Sequence, residues 1–242
     1  MAARERPILD AVNIPLAELE DRLHELPPRP ARVLVADTGV DAASAVAWLC
    51  AGGRSAEAAP CSFAAAPEPG RLWQPNAWLE ELLPRLEPGF AVDLGCGSGR
   101  EAVALAAAGW RVSAIDRLDD ALDKARDLER RTLGEPRIEW VCRDLESGDF
   151  ALAPVVDLLT SFAYLHRPLL EAAPFWLAPG GSLVVETFTS IHRERHGKPR
   201  NERFVLAPGE LATLAGELKV LHHSEGWRED GRHTARLWAH KE

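Results

Sequence analysis

Residues 91–99 read Ala91-Val-Asp-Leu-Gly-Cys-Gly-Ser-Gly99, and this stretch decides the fold. Its apolar start is typical of a buried strand. The alternate glycines that follow allow the backbone to turn sharply and to approach a ligand closely. A helix that begins directly after such a turn presents free N–H groups and the positive end of its dipole. The stretch therefore predicts a strand, a binding turn and a helix in succession.

Strands and helices alternate from this stretch to the C-terminus, which indicates an α/β fold with a mostly parallel sheet covered on both faces. We expect a doubly wound, Rossmann-like sheet of seven strands whose last strand, joined through a hairpin, is antiparallel. The predicted strands span residues 91–94, 111–116, 138–141, 155–160, 182–188, 218–223 and 234–240, and residues 178–181 form a tight turn before the fifth. The predicted helices span residues 100–108, 119–133 and 208–215, with a short one from Pro168.

Residues 1–54 are expected to form a small α/β segment, residues 55–70 a linker, and residues 71–242 the main domain. Leucines at helical spacing predict a helix over 16–26, Val33 to Val35 a strand, and Asp41 to Ala51 a second helix closed by glycines. This segment resembles the second half of a rhodanese domain. Ala36 stands where that family has its catalytic cysteine, and a methyl group cannot replace a thiolate. We interpret the segment as a degenerate, docking or stabilising remnant.

Net charge, hydropathy and cysteine spacing limit the classes of function that this protein can have. The chain has 242 residues and a net charge of -9, which argues against a large nucleic-acid interface. No apolar run approaches the roughly 18 residues of a membrane span, and the N-terminus lacks the apolar core of a signal peptide. The four cysteines are scattered without metal-binding spacing. We expect a cytoplasmic protein with reduced thiols, no membrane or nucleic-acid partner, and a small-molecule substrate; the oligomeric state is not indicated.

Three carboxylates accompany the glycine turn at the expected carboxyl ends of the strands. Asp93 lies two residues before Gly95, Asp116 ends the second strand, and Asp144 follows the third. An acid about 20 residues beyond such a turn is placed to accept both hydroxyls of a ribose. The third glycine comes one residue earlier than in the dinucleotide fingerprint, which disfavours a nicotinamide oxidoreductase.

With these acids, "VDLGCGSG", "CRDL" and "LAPGGSLVVETF" resemble the class I S-adenosylmethionine-dependent methyltransferases over about residues 72–241. The stretches "RLWQPNAWLEELLP" and "HGKPRNERFVLAPGEL" are similar to the tellurite-resistance type of small-molecule methyltransferase. The resemblance implies that Asp93, Gly95 and Gly97 hold the amino-acid end of S-adenosylmethionine, Asp116 the ribose, and Asp144 with Leu145 the adenine. Further cofactor contacts are then expected from Cys96, Gly99, Arg117 and Ser161.

Candidate acceptor residues follow the fourth and fifth strands. Tyr164 and His166 could orient or deprotonate an acceptor, and Phe162 lies where this fold binds its substrate. The basic stretch around Arg195 and His196 could attract an anion; otherwise it is a solvated face. Trp73 is either core or a pocket wall. His192 and His196 share an i,i+4 spacing without a third ligand, so we predict no metal site.

Methyl transfer from a sulfonium is an in-line displacement that needs alignment more than covalent catalysis. We therefore expect an enzyme that methylates a small acceptor, such as a chalcogen oxyanion, a thiol or another small anion. A base is required only if the nucleophile carries a proton. The alternative is a non-catalytic protein that binds S-adenosylmethionine in a structural or regulatory role.

Overall fold

The computed structural model describes residues 11–12, 14–27, 29, 31–37, 40–60, 72–148, 150, 152 and 155–242. The chain divides into two compact units, with the boundary between Gln74 and Pro75. No helix in these ranges is both long and apolar enough to cross a membrane.

The N-terminal unit contains a two-stranded parallel sheet, β1 (Val33–Asp37) and β2 (Ala56–Pro60), connected by α1 (Val40–Ala51). Two short 3₁₀ helices, Leu16–Glu18 and Leu23–Glu25, precede β1. A small apolar core holds them together, and it is formed by Leu19, Leu26, Val33 and Leu49.

Two expectations for this unit are wrong. The helix predicted over 16–26 is two 3₁₀ turns, because Arg22 leaves the helical conformation between them and its guanidinium pairs with the buried Glu25 at 2.6 Å. Part of the predicted linker is strand β2, which pairs with β1 from Val33–Ala56 onwards. Alanine has little strand preference, so the sequence of β2 carries no signal of a pairing that β1 supplies. Residues 61–70 of the predicted linker lie outside the described residues.

The C-terminal unit is the predicted doubly wound α/β fold. Its strands are β3 (Phe90–Leu94), β4 (Arg111–Asp116), β5 (Ile138–Cys142), β6 (Val156–Phe162), β7 (Leu177–Phe188), β8 (Lys219–Trp227) and β9 (His233–His240). They form one sheet in the order β5-β4-β3-β6-β7-β9-β8, in which β9 runs antiparallel to both of its neighbours. The chain fills one side of β3 first and then crosses to β6, so the carboxyl ends of β3 and β6 form the switch point where α/β sheets bind ligands.

Helices cover both faces of this sheet. They are α2 (Ala77–Leu82), α3 (Arg100–Ala107), α4 (Asp119–Leu133), α5 (Arg167–Trp176), α6 (Ser190–His196) and α7 (Glu210–Leu214), with 3₁₀ turns at Leu83–Arg85 and Glu202–Phe204. One face packs against α5 and α7 through a single apolar cluster that includes Val92, Leu159, Val185, Leu170 and Leu211. The tight turn predicted over 178–181 lies inside β7 as a bulge, since Leu177 pairs with Val156 and Ser182 with Leu158.

Gly99 sets how closely α3 approaches its neighbours. Its φ is +76°, and a Cβ there would lie 2.5 Å from the Trp140 ring and 2.7 Å from the Ala125 methyl group. Gly134 has a similar φ of +78°, but a Cβ there would meet no described heavy atom within 4 Å. The two positions therefore share backbone strain and differ in packing.

We predict that Gly134→Ala lowers the free energy of unfolding by about 1 kcal/mol, the cost of the left-handed conformation alone. Gly99→Ala should lower it by about 2–4 kcal/mol, because overpacking against Trp140 and Ala125 adds to that strain. Urea unfolding of the two variants measures the difference, and equal losses would contradict the close packing at Gly99.

Candidate active site

The glycine turn follows β3 and is hydrogen-bonded to the end of β4. The N–H groups of Gly95 and Cys96 both donate to the carbonyl of Ile115, at 2.9 and 3.0 Å. The N–H of Gly97 donates to Oδ2 of Asp116 at 2.8 Å. These three hydrogen bonds therefore hold the predicted turn against the end of β4, the strand that carries Asp116.

The space around the glycines differs from one to the next. A Cβ on Gly95 would lie 2.5 Å from the Tyr164 ring, so Tyr164 packs directly on this part of the turn. A Cβ on Gly97 would meet none of the described heavy atoms within 4 Å. The backbone at Gly97 thus borders open space large enough for part of a ligand to approach it.

The carboxyl group of Asp93 is buried, and only one of its two oxygens has a hydrogen-bond partner among the described residues. It is 2% exposed, and its Oδ1 accepts a hydrogen bond from Thr160 Oγ1 at 2.8 Å. Its Oδ2 is buried and has no hydrogen-bond partner among the described residues. Burial, with the negative charge of Glu101 nearby, raises the pKa of Asp93 to about 8. A buried carboxyl group of this kind becomes an anion most readily when a cation binds beside it.

Glu101 and Thr160 were not singled out by the sequence. Glu101 lies in the first turn of α3, and its carboxylate accepts the N–H of Asn76 at 3.0 Å. Asn76 in turn caps α2 by accepting the N–H of Trp78 at 2.8 Å. Thr160 ends the predicted fourth strand, and this position at a strand end was the one sequence signal that it could lie beside Asp93.

Asp116 and Asp144 lie on neighbouring strand ends, as predicted. Asp116 Oδ1 accepts the N–H of Leu118 at 2.9 Å, so each of its oxygens holds one backbone bond and keeps further acceptor positions. The carbonyl of Asp116 accepts the N–H of Arg143 at 2.9 Å, which aligns the loop after β5. Asp144 is exposed, and its Oδ1 caps the turn at Glu146.

The remaining predicted cofactor contacts lie around these acids. Leu145 is 4% exposed, beneath the exposed Asp144. Arg117 is exposed, and its carbonyl lies 3.7 Å from the Cys142 thiol. Cys96 is buried, and this burial, with Asp93 nearby, raises the pKa of its thiol, so the thiol stays protonated and is not a nucleophile.

The loop after β6 places the Tyr164 ring on the glycine turn, and Ser161, near the end of β6, bonds to this loop. Ser161 Oγ donates to the carbonyl of Tyr164 at 3.1 Å, and Ala163 adopts a φ of +55° while its N–H donates to the carbonyl of Glu186. Burial, with Glu146 and Asp144 nearby, raises the pKa of Tyr164 to about 12. The phenol is therefore protonated at neutral pH and can donate a hydrogen bond but does not act as a base.

His166 begins α5 at the edge of the same loop. Its carbonyl accepts the N–H of Leu169 at 3.1 Å, which fixes the backbone. Its Nδ1 is buried and unpaired among the described residues. One ring nitrogen of His166 therefore lacks a hydrogen-bond partner among the described residues, whereas Phe162, 9% exposed at the end of β6, offers only apolar surface.

Arg167, which had no signal in the sequence, hydrogen-bonds the segment 202–205 that follows β7 and α6. Its guanidinium pairs with Glu210 and donates to the carbonyls of Arg203 and Val205 at 2.8 and 2.9 Å. Arg203 also forms an ion pair with Glu146 at 2.7 Å, which connects this segment to the loop after β5. Residues 202–205 are thus held to the loops after β5 and β6.

Two of the predicted acceptor residues contact the β8–β9 hairpin, and a third belongs to the N-terminal unit. The Arg195 guanidinium stacks 4.8 Å over the Trp227 ring, and His196 Nε2 lies 3.1 Å from the carbonyl of Gly231, so both contact the β8–β9 hairpin. Trp73, in the N-terminal unit, is 3% exposed. Among the described residues no group of three or more histidine, cysteine or acidic side chains could hold a metal ion.

The charge state of Asp93 gives a pH-dependent stability. Its pKa is about 8 in the folded protein against 3.8 for the free group, so the neutral form favours folding. That stability is fully present below about pH 4 and is lost as the pH rises towards 8, by at most about 1.4 kcal/mol per pH unit. We predict that Asp93→Asn, which keeps an amide for Thr160 to bond, removes this slope.

Urea unfolding of the ligand-free protein at pH 5 and pH 7.5 measures the effect. The wild type should lose more stability than Asp93→Asn between these two values. Equal losses in both proteins would contradict a neutral, buried Asp93.

Comparison with known proteins gives one family and several related structures. Residues 91–181 match the model of a methyltransferase domain. The glycine N-methyltransferases of Rattus norvegicus and Mus musculus are each 28% identical over 165 residues, which is 55% of this chain and 56% of theirs. The chain therefore spans about half the length of these curated relatives.

Solved structures share the fold at lower identity. TehB from Haemophilus influenzae superposes with a TM-score of 0.55 at 18% identity, over 68% of this chain and 61% of that one. The N-methyltransferase NodS from Bradyrhizobium japonicum WM9 superposes with a TM-score of 0.54 at 22% identity, over 68% and 93%. The rhodanese-like interpretation of the N-terminal unit stays a prediction. The C-terminal unit therefore has the Rossmann-like fold of the methyltransferase structures it resembles, and residues 91–181 within it are similar to a methyltransferase domain.

Proposed function

We propose that this protein binds S-adenosylmethionine at the glycine turn and transfers its methyl group to a small-molecule acceptor. The observation that carries the proposal is the unpaired, buried Oδ2 of Asp93 beside the open backbone at Gly97. A buried carboxyl oxygen without a partner is costly, and a bound ammonium group would satisfy it. The α-amino group of S-adenosylmethionine is such a cation.

The residues around the turn fit the rest of the cofactor. Asp116 keeps free acceptor positions for the two ribose hydroxyls, and the loop of Asp144 and Leu145 offers an acidic and an apolar contact for adenine. Gly95 allows Tyr164 to pack on the turn, where its phenol can donate to the ligand. The additional contacts that we propose are Cys96, Gly99, Arg117 and Ser161.

When bound, S-adenosylmethionine supplies an electrophilic methyl group on a sulfonium. The chain has to align an acceptor with it and to keep water away, effects that can together contribute several kcal/mol. Phe162 gives an apolar wall, and residues 202–205, fastened by Arg167, lie at the same edge of the sheet as a cover. The free Nδ1 of His166 is a group that can accept a proton from acceptors that carry one.

The acceptor class is proposed from chemistry rather than from the relatives' names. Chalcogen oxyanions, thiols and other small anions are the proposed acceptors. The curated relatives are glycine N-methyltransferases, which adds small amines with a carboxylate to the set worth testing.

Calorimetric titration with S-adenosylhomocysteine tests the cofactor. We expect binding by the wild type, and Asp116→Ala should weaken it by roughly 10- to 100-fold through the loss of charge-assisted bonds to the ribose. Asp120→Ala is the matched control, because Asp120 is an exposed acid in the first turn of α4. Absence of binding, or a wild-type affinity in Asp116→Ala, would contradict the proposal, as would tighter binding of NAD.

A labelled-methyl assay separates an enzyme from a non-catalytic binding protein. The panel contains tellurite, selenite, thiols, glycine and small carboxylates, with volatile products collected. Transfer to any member supports the enzyme. Cofactor binding without transfer to a broad panel supports the structural or regulatory alternative.

A further inference from the structure

Two arginines converge on one buried glutamate near the carboxyl end of β7 and the amino end of the antiparallel β9. Glu186 is 2% exposed and accepts Thr234 Oγ1 at 2.6 Å and Arg236 Nε at 3.1 Å. The Nε of Arg228, in the β8–β9 hairpin, lies 3.5 Å from Oε1 of Glu186, the oxygen that Thr234 bonds. We refer to Glu186, Arg228, Thr234 and Arg236 as the arginine cluster.

The register of the sheet places this cluster on the same face as Asp93. Residues paired across neighbouring strands point to the same side. Asp93 pairs with Thr160, and Phe162, two residues further along β6, pairs with Glu186. Glu186 pairs with Arg236, so the cluster begins two strands from β3, about 10 Å across the sheet. It therefore borders the same carboxyl edge, on the side away from Asp116 and Asp144.

The side chain of Arg236 is held in place, but only part of its hydrogen-bonding capacity is used by the described residues. Its guanidinium lies 5.3 Å from the centre of the Trp78 ring, and Nε is bound to Glu186. Its two terminal nitrogens have no hydrogen-bond partner among the described residues, and its side chain is 18% exposed. A guanidinium held in this way presents two parallel donors, which suits a carboxylate or another oxyanion.

The charges of the cluster do not cancel. Two guanidiniums face one carboxylate, since the nearby carboxylate of Asp230 is paired with Arg232, whose Nε lies 2.6 Å away. Burial together with the positive charge of Arg236 lowers the pKa of Arg228. Arg228 has a structural task, since it donates to Thr234 Oγ1 at 2.8 Å and to the Thr234 carbonyl at 3.2 Å. Fastening the hairpin thus accounts for Arg228 but leaves Arg236 with donors to spare, and an anion beside Arg236 would offset the excess positive charge.

We propose that Arg236 binds the anionic oxygen group of the methyl acceptor, with Glu186 as the residue that positions it and Arg228 as a second positive charge. The acceptor is then a small molecule that carries a carboxylate, or a chalcogen oxyanion itself. This inference rests on the proposed methyltransferase function and names its substrate class. It replaces Arg195 and His196, which contact the hairpin, as the main site of anion recognition.

Calorimetry of the protein saturated with S-adenosylhomocysteine tests the site without requiring turnover. The probes are 3-mercaptopropionate and glycine, each with its neutral amide, and selenite, all at constant ionic strength. We expect at least one anionic probe to bind while its neutral partner does not. Arg236→Gln should weaken that binding by about tenfold or more, and Arg236→Lys, which keeps the charge but loses the fork, by less.

Arg85→Gln is the matched control. Arg85 also stacks on a tryptophan, 4.5 Å over Trp238 of β9, but its variant should bind the probe as the wild type does. The labelled-methyl assay adds a kinetic readout, in which Arg236→Gln raises KM for the anionic acceptor while the affinity for S-adenosylhomocysteine is unchanged. Urea unfolding establishes that each variant is folded.

Several results would overturn the proposal. They are equal binding of the neutral amide, unchanged binding or KM in a folded Arg236→Gln, and absence of binding by every anionic probe to protein that does bind S-adenosylhomocysteine. Selenite binding without carboxylate binding assigns the site to oxyanion acceptors, and the reverse assigns it to carboxylates. Failure of S-adenosylhomocysteine itself to bind removes the proposed function and this inference together.

Discussion

The hydrogen bond from the N–H of Gly97 to the carboxylate of Asp116 ties the glycine turn after β3 to the acid at the end of β4, beside the two bonds that Gly95 and Cys96 donate to Ile115. The bond needs the chain to turn through three glycines with positive φ, and it fixes the acid of β4 at the mouth of that turn. The Tyr164 ring packs on Gly95 of this turn, and Asp93 lies two residues before Gly95. The loop after β5 is held by the bond from the N–H of Arg143 to the carbonyl of Asp116. The strand order then adds the switch point between β3 and β6, which leaves room above it.

The site has electrostatic polarity along the carboxyl edge of the sheet. At one end burial, with the negative charge of Glu101 nearby, raises the pKa of Asp93 to about 8, so its carboxyl group is mostly neutral in the ligand-free protein at pH 7. At the other end Arg228 and Arg236 leave positive charge only partly offset by Glu186. A cofactor with a cationic ammonium group and an acceptor with an anionic group would each relieve the charge at its own end. Apolar Phe162 lies between the two ends.

Local patterns predicted much of this arrangement. The glycine spacing, the strand alternation and the acids at strand ends led to the seven-stranded fold and to Asp93, Asp116 and Asp144, since each of these signals lies within one strand and its turn. Pairings between distant residues had no such signal. Thr160 meets Asp93, Arg167 holds the carbonyl of Arg203, and Arg236 meets Glu186 only because the sheet brings separate strands together. Strand β2 was missed for the same reason, because β1 and not its own alanines makes it a strand.

The central claim, that the buried carboxyl of Asp93 receives a cation from the cofactor, is tested most directly by the protons exchanged on binding. Calorimetric titration of S-adenosylhomocysteine at pH 7, in buffers of different ionisation enthalpy, measures that number. Because the pKa of Asp93 is about 8 in the empty protein, binding of the ammonium group should release up to about one proton from the wild type and fewer from Asp93→Asn. Tight binding with the same proton release in both proteins would contradict the account.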